Sequence, residues 1–164
     1  MARPVELYLV RHAIAEERGP KWPDDGKRPL SARGVARFRE VVRGLRAVDV
    51  RVDVVLTSPL LRATQTADLL AAGLEPSPPV EIVEPLAPGV TPKALAGVLS
   101  RAKRARIAVV GHEPDLGALA AHLVGASRPL AFRKGGVCRV DLDGPGGPGR
   151  LAWFAPPRIL RARA

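Results

Sequence analysis

Cysteine, aromatic residues and long apolar runs are all scarce in this 164-residue sequence. Its one cysteine, Cys138, cannot form an intramolecular disulfide or build a zinc site that needs several cysteines. Aromatic residues make up 4% of the chain, which leaves few side chains on which nucleic-acid bases could stack, and no known nucleic-acid-binding motif occurs. No stretch approaches the roughly 20 consecutive apolar residues of a membrane-spanning helix. We therefore expect no membrane partner, and nucleic acid is a disfavoured one.

Targeting signals, repeats and domain linkers are also missing. The first residues, Met-Ala-Arg-Pro-Val-Glu, lead directly into a strand pattern instead of the apolar region of a signal peptide. We therefore expect a cytoplasmic protein. The length and the 46% apolar content are typical of one compact core, so the sequence predicts a single domain over residues 1–164.

Positive charge, by contrast, is abundant. The chain has 26 Lys and Arg against 16 Asp and Glu, a formal net charge of +10. Such a charge attracts any polyanion, so nucleic acid, acidic proteins and phosphorylated substrates would all gain from long-range steering. A basic nucleic-acid-binding module without catalysis therefore stays open as an alternative function of another class.

Strand and helix patterns alternate along most of the chain. Apolar runs typical of strands buried on both faces occur at 5–10, 52–57, 80–83 and 106–110. Helical patterns follow them, starting after Ser31, at Ser58-Pro59, at Thr91-Pro92 and at Pro114. Two further strands, 137–142 and 150–154, flank a Gly- and Pro-rich turn. The order predicts a three-layer α/β/α sandwich with a mostly parallel sheet and an antiparallel edge hairpin.

Two histidines lie where such a sheet places its ligands. His12 comes two residues after the first strand, and His112 two residues after the fourth. Ligands of open parallel sheets bind beyond the carboxyl ends of the strands, where Arg11 and Arg62 are also expected. A neutral imidazole can attack phosphorus, and arginines can grip the phosphate oxygens. The pattern predicts phosphoryl transfer through a phosphorylated His12, with His112 donating to a phosphate oxygen and with neither metal nor cofactor.

The leaving group of such a reaction needs a proton, so a carboxylic acid is expected near His12. Two carboxyl groups lie in segments that could reach the same edge of the sheet. Asp25 is in the loop after the first strand, and Glu84 directly follows the third. Both stay open as the general acid.

Four segments, in this order, resemble the histidine phosphatase superfamily. They are Leu7-Tyr-Leu-Val-Arg-His-Ala-Ile-Ala15, Asp25-Gly-Lys-Arg-Pro-Leu-Ser-Ala-Arg-Gly34, Thr57-Ser-Pro-Leu-Leu-Arg-Ala-Thr-Gln-Thr66 and Val109-Val-Gly-His-Glu-Pro114. The short length and the second and fourth segments look most like the SixA-type branch of phosphohistidine phosphatases. The likeness implies a phosphoglycerate mutase-like fold and a metal-independent phosphatase.

The resemblance also implies roles for individual residues. His12 would be the nucleophile, and Arg11, Arg62 and His112 would complete the phosphate pocket. Ala13 replaces the glycine familiar after the histidine. Asp25 matches an aspartate of the short branch, whereas Glu84 is displaced by one residue from the glutamate of longer relatives.

The branch also implies a substrate. It dephosphorylates histidine-containing phosphotransfer domains, and this chain lacks the long insertions with which larger relatives enclose their substrates. The sequence therefore favours a phosphorylated protein as partner. A small phosphorylated metabolite, hydrolysed on the same fold, is the alternative.

Overall fold

A mixed six-stranded sheet forms the centre of the computed structural model, which describes residues 2–164. The strands are β1 (Val5–Arg11), β2 (Val54–Thr57), β3 (Val80–Ile82), β4 (Arg106–Gly111), β5 (Val137–Leu142) and β6 (Gly149–Ala155). Their order is β3-β2-β4-β1-β5-β6. The first four strands are mutually parallel, and β5 and β6 run antiparallel at one edge, as predicted.

Helices cover both faces of the sheet. They are α1 (Ala32–Ala47), α2 (Leu61–Gly73), α3 (Pro92–Ala102), α4 (Asp115–Val124) and α5 (Pro157–Arg161). The first two helices and α5 pack on one face, and α3 and α4 pack on the other. Strand β1 serves both layers, because Tyr8 and Val10 belong to one core while Leu7 and Leu9 belong to the other. The predicted α/β/α sandwich is confirmed.

Two of the helices begin at the residues that the sequence indicated. Ser31 caps α1 by accepting a hydrogen bond from the Gly34 amide at 2.9 Å, and Thr91 caps α3 through the Ala94 amide at 3.1 Å. The prediction that the next helix starts at Ser58-Pro59 was wrong. Helix α2 starts at Leu61, so the Ser58 side chain does not cap it.

Short elements escaped the sequence analysis. Helix α5 follows the last strand that the sequence predicted, and its buried Leu160 packs against α1. Single 3-10 turns occur at Asp25–Lys27 and at Glu84–Leu86. None of the helices formed by residues 2–164 has the length and apolar content to cross a membrane.

Candidate active site

The pairing of β1 with β4 brings the two predicted histidines together. The strands are parallel neighbours, with Arg11 in register with Gly111, so His12 and His112 leave the sheet side by side. Their ring centroids lie 5.3 Å apart, and the ring planes are inclined by 52°. Both side chains are buried. The site therefore lies at the carboxyl ends of the central strands.

The backbone fixes the tautomer of His12. Its Nδ1 lies 2.7 Å from the carbonyl oxygen of Ala13. A carbonyl only accepts, so Nδ1 carries the proton and Nε2 keeps its lone pair. The Thr66 hydroxyl, itself bonded to the Arg62 carbonyl, accepts the Ala13 amide at 3.0 Å and so holds this turn against α2. Nε2 is the atom available to attack phosphorus.

Burial keeps both imidazoles uncharged. The pKa of His12 is lowered to about 3 and that of His112 to about 4, mainly by burial, and the nearby Arg62 and Arg11 guanidinium groups contribute to both shifts. The loss of solvation on burial is the larger cause, because protonated imidazole is poorly stabilised away from water.

Arg11 is anchored by the loop that precedes β5. Its Nη1 donates to the Phe132 carbonyl at 2.8 Å. The amide of Gly135, in the same loop, donates to the carbonyl oxygens of both Arg11 and His12 at 3.1 Å. The Glu113 carboxylate in turn accepts the amides of Phe132 and of residue 117, at 3.2 and 2.7 Å. This loop therefore positions the Arg11 guanidinium, which keeps four of its five N–H groups free.

Arg62 is anchored by Asp25. Its Nη1 donates to the Asp25 carbonyl at 2.8 Å and its Nη2 to the carboxylate at 3.1 Å. Three of its five N–H groups are left without a partner among residues 2–164. Arg28, buried at 6% exposure, donates to the same carboxylate at 2.9 Å. These arginines, with Arg18 further out, hold the pKa of Asp25 below its usual range, the Arg28 hydrogen bond being the largest cause. Asp25 is therefore ionised and ion-paired.

His112 contacts a hydroxyl on one side only. Its Nε2 lies 2.7 Å from the Ser58 Oγ, whereas its Nδ1 is buried with no hydrogen-bond partner among residues 2–164. The Nε atoms of Arg11 and Arg62 are likewise buried and unpaired in that part of the chain. A buried polar atom without a partner is costly, so the two guanidinium N–H groups and this imidazole nitrogen, on residues that line one cleft, favour a bound anion.

The cleft itself has a volume of about 360 Å³. Its walls contain the four predicted phosphate-binding residues together with charged residues from the loops around them. The full lining is Arg11, His12, Ala15, Glu16, Glu17, Arg18, Arg28, Arg62, His112, Glu113 and Lys134. Within residues 2–164, no group of three or more His, Cys, Asp or Glu side chains could hold a metal ion.

The two candidate acids are placed differently. Asp25 adjoins the cleft through Arg62 and Arg28. Glu84 is exposed, at the start of a 3-10 turn beyond β3, and it does not belong to the cleft lining. The assignment of either carboxyl group as the acid stays a prediction.

Sequence reasoning missed three residues of this site. Arg28 and Ser58 stand inside motifs that the resemblance quoted, Arg-Pro-Leu-Ser and Thr-Ser-Pro, so their position was a usable signal. Lys134 had none, because it lies in a loop remote in sequence from every motif. Burial and nearby arginines, Arg11 first among them, lower its pKa.

Comparison with known proteins agrees with this geometry. The sequence model of the histidine phosphatase superfamily (branch 1) matches residues 7–87. An uncharacterised protein of Picosynechococcus sp. is 41% identical over 116 residues, 69% of each chain. The chain belongs to the histidine phosphatase superfamily and is a phosphatase.

Its relatives define the branch. The phosphohistidine phosphatase SixA of Escherichia coli is 28% identical over 161 residues, which are 96% of this chain and 97% of that protein. The structure of a protein histidine phosphatase SixA complexed with tungstate superposes with a TM-score of 0.84 at 27% identity, covering 95% of this chain and 99% of the other. Within the superfamily, the chain belongs to the SixA-type branch.

The fold is shared more widely. A phosphoglycerate mutase from Bacillus anthracis superposes with a TM-score of 0.76 at 15% identity, over 99% of this chain and 97% of that one. The predicted phosphoglycerate mutase-like fold is confirmed.

Proposed function

We propose that this chain removes phosphoryl groups from phosphohistidine in histidine-containing phosphotransfer domains, through a phosphohistidine formed on His12. The observation that carries the proposal is the site itself. Two uncharged imidazoles, 5.3 Å apart, share a cleft with two anchored guanidinium groups, and three buried nitrogens there have no partner within residues 2–164. A tetrahedral phosphoryl group supplies the missing acceptors.

The reaction has two steps. In the first, the His12 Nε2 lone pair forms a bond to phosphorus while the bond from phosphorus to the substrate imidazole nitrogen breaks, and that nitrogen keeps the electron pair and takes up a proton from solvent water. In the second, a water oxygen forms a bond to phosphorus while the bond from phosphorus to His12 Nε2 breaks, the electron pair returns to Nε2, one water proton passes back to solvent, and inorganic phosphate is released. Arg11, Arg62 and His112 bind the equatorial oxygens in both steps, and the Ala13 carbonyl stabilises the charge that develops on the His12 ring.

The state of the carboxylates supports a phosphoramidate substrate. Asp25 is held as an anion by two arginines, and Glu113 is occupied by two backbone amides. An imidazole leaves as a weak base that takes a proton near neutral pH, whereas an alkoxide leaving group depends on a strong acid in the site. Phosphohistidine is therefore the substrate whose hydrolysis depends least on a general acid in the site.

The relatives and the open cleft support a protein substrate. Two relatives of this chain are called a phosphohistidine phosphatase SixA and a protein histidine phosphatase SixA. The cleft rim carries exposed Arg18 and Lys134, with no further domain covering it among residues 2–164. Such a rim can meet a phosphate that projects from another protein surface.

A labelling experiment tests the intermediate. The chain is mixed with a radiolabelled, histidine-phosphorylated phosphotransfer domain and quenched within milliseconds. We expect acid-labile, base-stable label on the wild-type chain and on His122→Ala, whose histidine is exposed on α4, but none on His12→Ala. Label on His12→Ala would refute the nucleophile assignment.

The substrate class is tested by specificity constants. The phosphorylated domain is compared with phosphoramidate and with sugar and nucleotide monophosphates. We expect kcat/KM to be highest for the domain by at least about tenfold, since surface contacts add to binding. A higher value for a metabolite ester would make the chain a small-molecule phosphatase, and salt-sensitive nucleic-acid binding without turnover would make it a binding module.

A further inference from the structure

Among residues 2–164, Ser58 is the one residue whose side chain hydrogen-bonds the imidazole of His112, and it is fully buried. It precedes α2 instead of capping it, at the end of β2, which is the other parallel neighbour of β4. Its amide donates to the Val110 carbonyl at 3.1 Å, so the backbone holds the serine beside the strand that carries His112. The Oγ to Nε2 distance is 2.7 Å.

The other hydrogen bond of the Ser58 hydroxyl determines whether Ser58 or His112 is the donor in the contact between them. Oγ already accepts the Leu60 amide at 3.3 Å. Among residues 2–164, the only acceptor within reach of its own proton is the His112 Nε2. A buried hydroxyl that kept its proton unpaired would lose free energy, so the proton is donated to Nε2.

The direction of this hydrogen bond determines whether the opposite ring nitrogen, Nδ1, carries a proton. If Nε2 accepts, the neutral ring carries its proton on Nδ1. Nδ1 is the buried atom of His112 that has no partner in the described residues, and His112 lines the cleft. A proton there makes His112 a donor to an anion, whereas the other tautomer would present a lone pair that repels phosphate oxygens.

We propose that Ser58 is a positioning residue which holds His112 in the Nδ1–H tautomer, so that a neutral histidine donates a hydrogen bond to the phosphoryl group. His12 has its Nδ1 proton fixed by the Ala13 carbonyl and uses Nε2 as the nucleophile. The two rings thus carry the same tautomer with opposite uses, because one turns its bare nitrogen to the substrate and the other its N–H. This inference rests on the proposed phosphatase site but not on a protein substrate.

The test uses two isosteric or near-isosteric variants of neighbouring residues. Ser58→Ala removes the donor to His112. Thr57→Val is the matched control, because Thr57 is equally buried and its hydroxyl donates to the Ser58 carbonyl at 3.0 Å without touching the ring. Nitrogen-15 spectra of the histidine side chains report the tautomer, and titration with inorganic phosphate reports binding.

We expect His112 to be protonated at Nδ1 in the wild type and in Thr57→Val. In Ser58→Ala we expect the tautomers to mix, phosphate affinity to fall about tenfold and kcat/KM to fall by a similar factor, the loss of about one well-formed hydrogen bond. Ser58→Cys should show nearly the same losses of phosphate affinity and kcat/KM as Ser58→Ala, since a thiol is a weak hydrogen-bond donor.

A wild-type His112 protonated at Nε2 would overturn the proposal, as would a Ser58→Ala variant with unchanged tautomer and phosphate affinity. Both readouts use inorganic phosphate and the resting enzyme. A failure to dephosphorylate phosphotransfer domains would therefore count against the proposed substrate and leave this result intact.

Discussion

Each of the two arginines expected to bind phosphate is anchored by another residue. The Phe132 carbonyl holds Arg11, and Asp25, itself bound by Arg28, holds Arg62. Long cationic side chains lose much rotational entropy when they bind a ligand, and a guanidinium that is already anchored loses less. The site is therefore preorganised for an anion before the substrate arrives.

At this scale, variants of the two candidate acids separate anchoring from proton donation. Because the Asp25 carboxylate is an ionised anchor of Arg62, we expect Asp25→Asn to raise KM about tenfold for every substrate, whatever its leaving group. Glu84→Gln should change nothing, since Glu84 lies outside the cleft. The measurement is kcat/KM across phosphoramidates and aryl phosphates of graded leaving-group pKa. A loss in Asp25→Asn that grows with leaving-group pKa would instead identify Asp25 as the acid.

At the scale of elements, two glycines set how closely α1 lies against its neighbours. A Cβ on Gly34 would lie 1.9 Å from the Ile14 carbonyl oxygen, and a Cβ on Gly44 would lie 1.9 Å from that of Leu160. Ten residues, about 15 Å of helix, separate the two positions. Ile14 is two residues from His12, whereas Leu160 belongs to α5. The two contacts are equally tight but serve different parts of the molecule.

Gly34→Ala and Gly44→Ala therefore form a matched pair of variants. Both variants should lose about 1–3 kcal/mol of unfolding free energy, because backbone must move to admit the methyl group. Only Gly34→Ala should also lower kcat, by about tenfold or more, since it displaces the turn that fixes the His12 ring. Urea denaturation and steady-state kinetics measure the two effects. Equal kcat values in the two variants would contradict a link between α1 and the nucleophile.

At the scale of the whole molecule, the buried histidines make stability depend on pH. In the unfolded chain a histidine has a pKa of about 6.5, whereas burial lowers those of His12 and His112 to about 3 and 4. At pH values between the folded and unfolded pKa values, the two histidines bind protons in the unfolded state but stay neutral in the folded state. Unfolding free energy therefore falls as pH drops below about 6.5.

We expect a slope of up to about 1.4 kcal/mol per pH unit for each of the two histidines between pH 6 and 4.5. Asp25 adds its own loss only at lower pH, because its pKa is lowered in the folded state and the stability that this contributes is lost progressively as pH falls below about 4. Urea denaturation of His12→Asn and His112→Asn should give a shallower slope than that of wild type. His122→Asn, at an exposed position, is the control and should keep the wild-type slope. An unchanged slope in both site variants would refute the linkage.

The architecture could be predicted from the sequence because local patterns are sufficient to define it. Apolar runs of strand length, separated by helices with recognisable caps, allow few arrangements other than a parallel sheet covered on both faces. Residues that directly follow such strands must meet at one edge, so His12 and His112 could be named as neighbours before any coordinates. The structure adds that Cys138 is buried in β5, and burial raises its pKa to about 12.

By itself, the sequence determined the strand order along the chain, the residue types at the strand ends and hence the class of chemistry. Only the tertiary structure decided which proton each imidazole carries, that Asp25 is an ion-paired anchor and that Ser58 serves His112 instead of a helix. The physical reason is that burial and hydrogen-bond partners depend on residues far apart in sequence. Ser58 and His112 are 54 positions apart, and Arg11 and Phe132 are 121 positions apart, so no local pattern encodes their contacts.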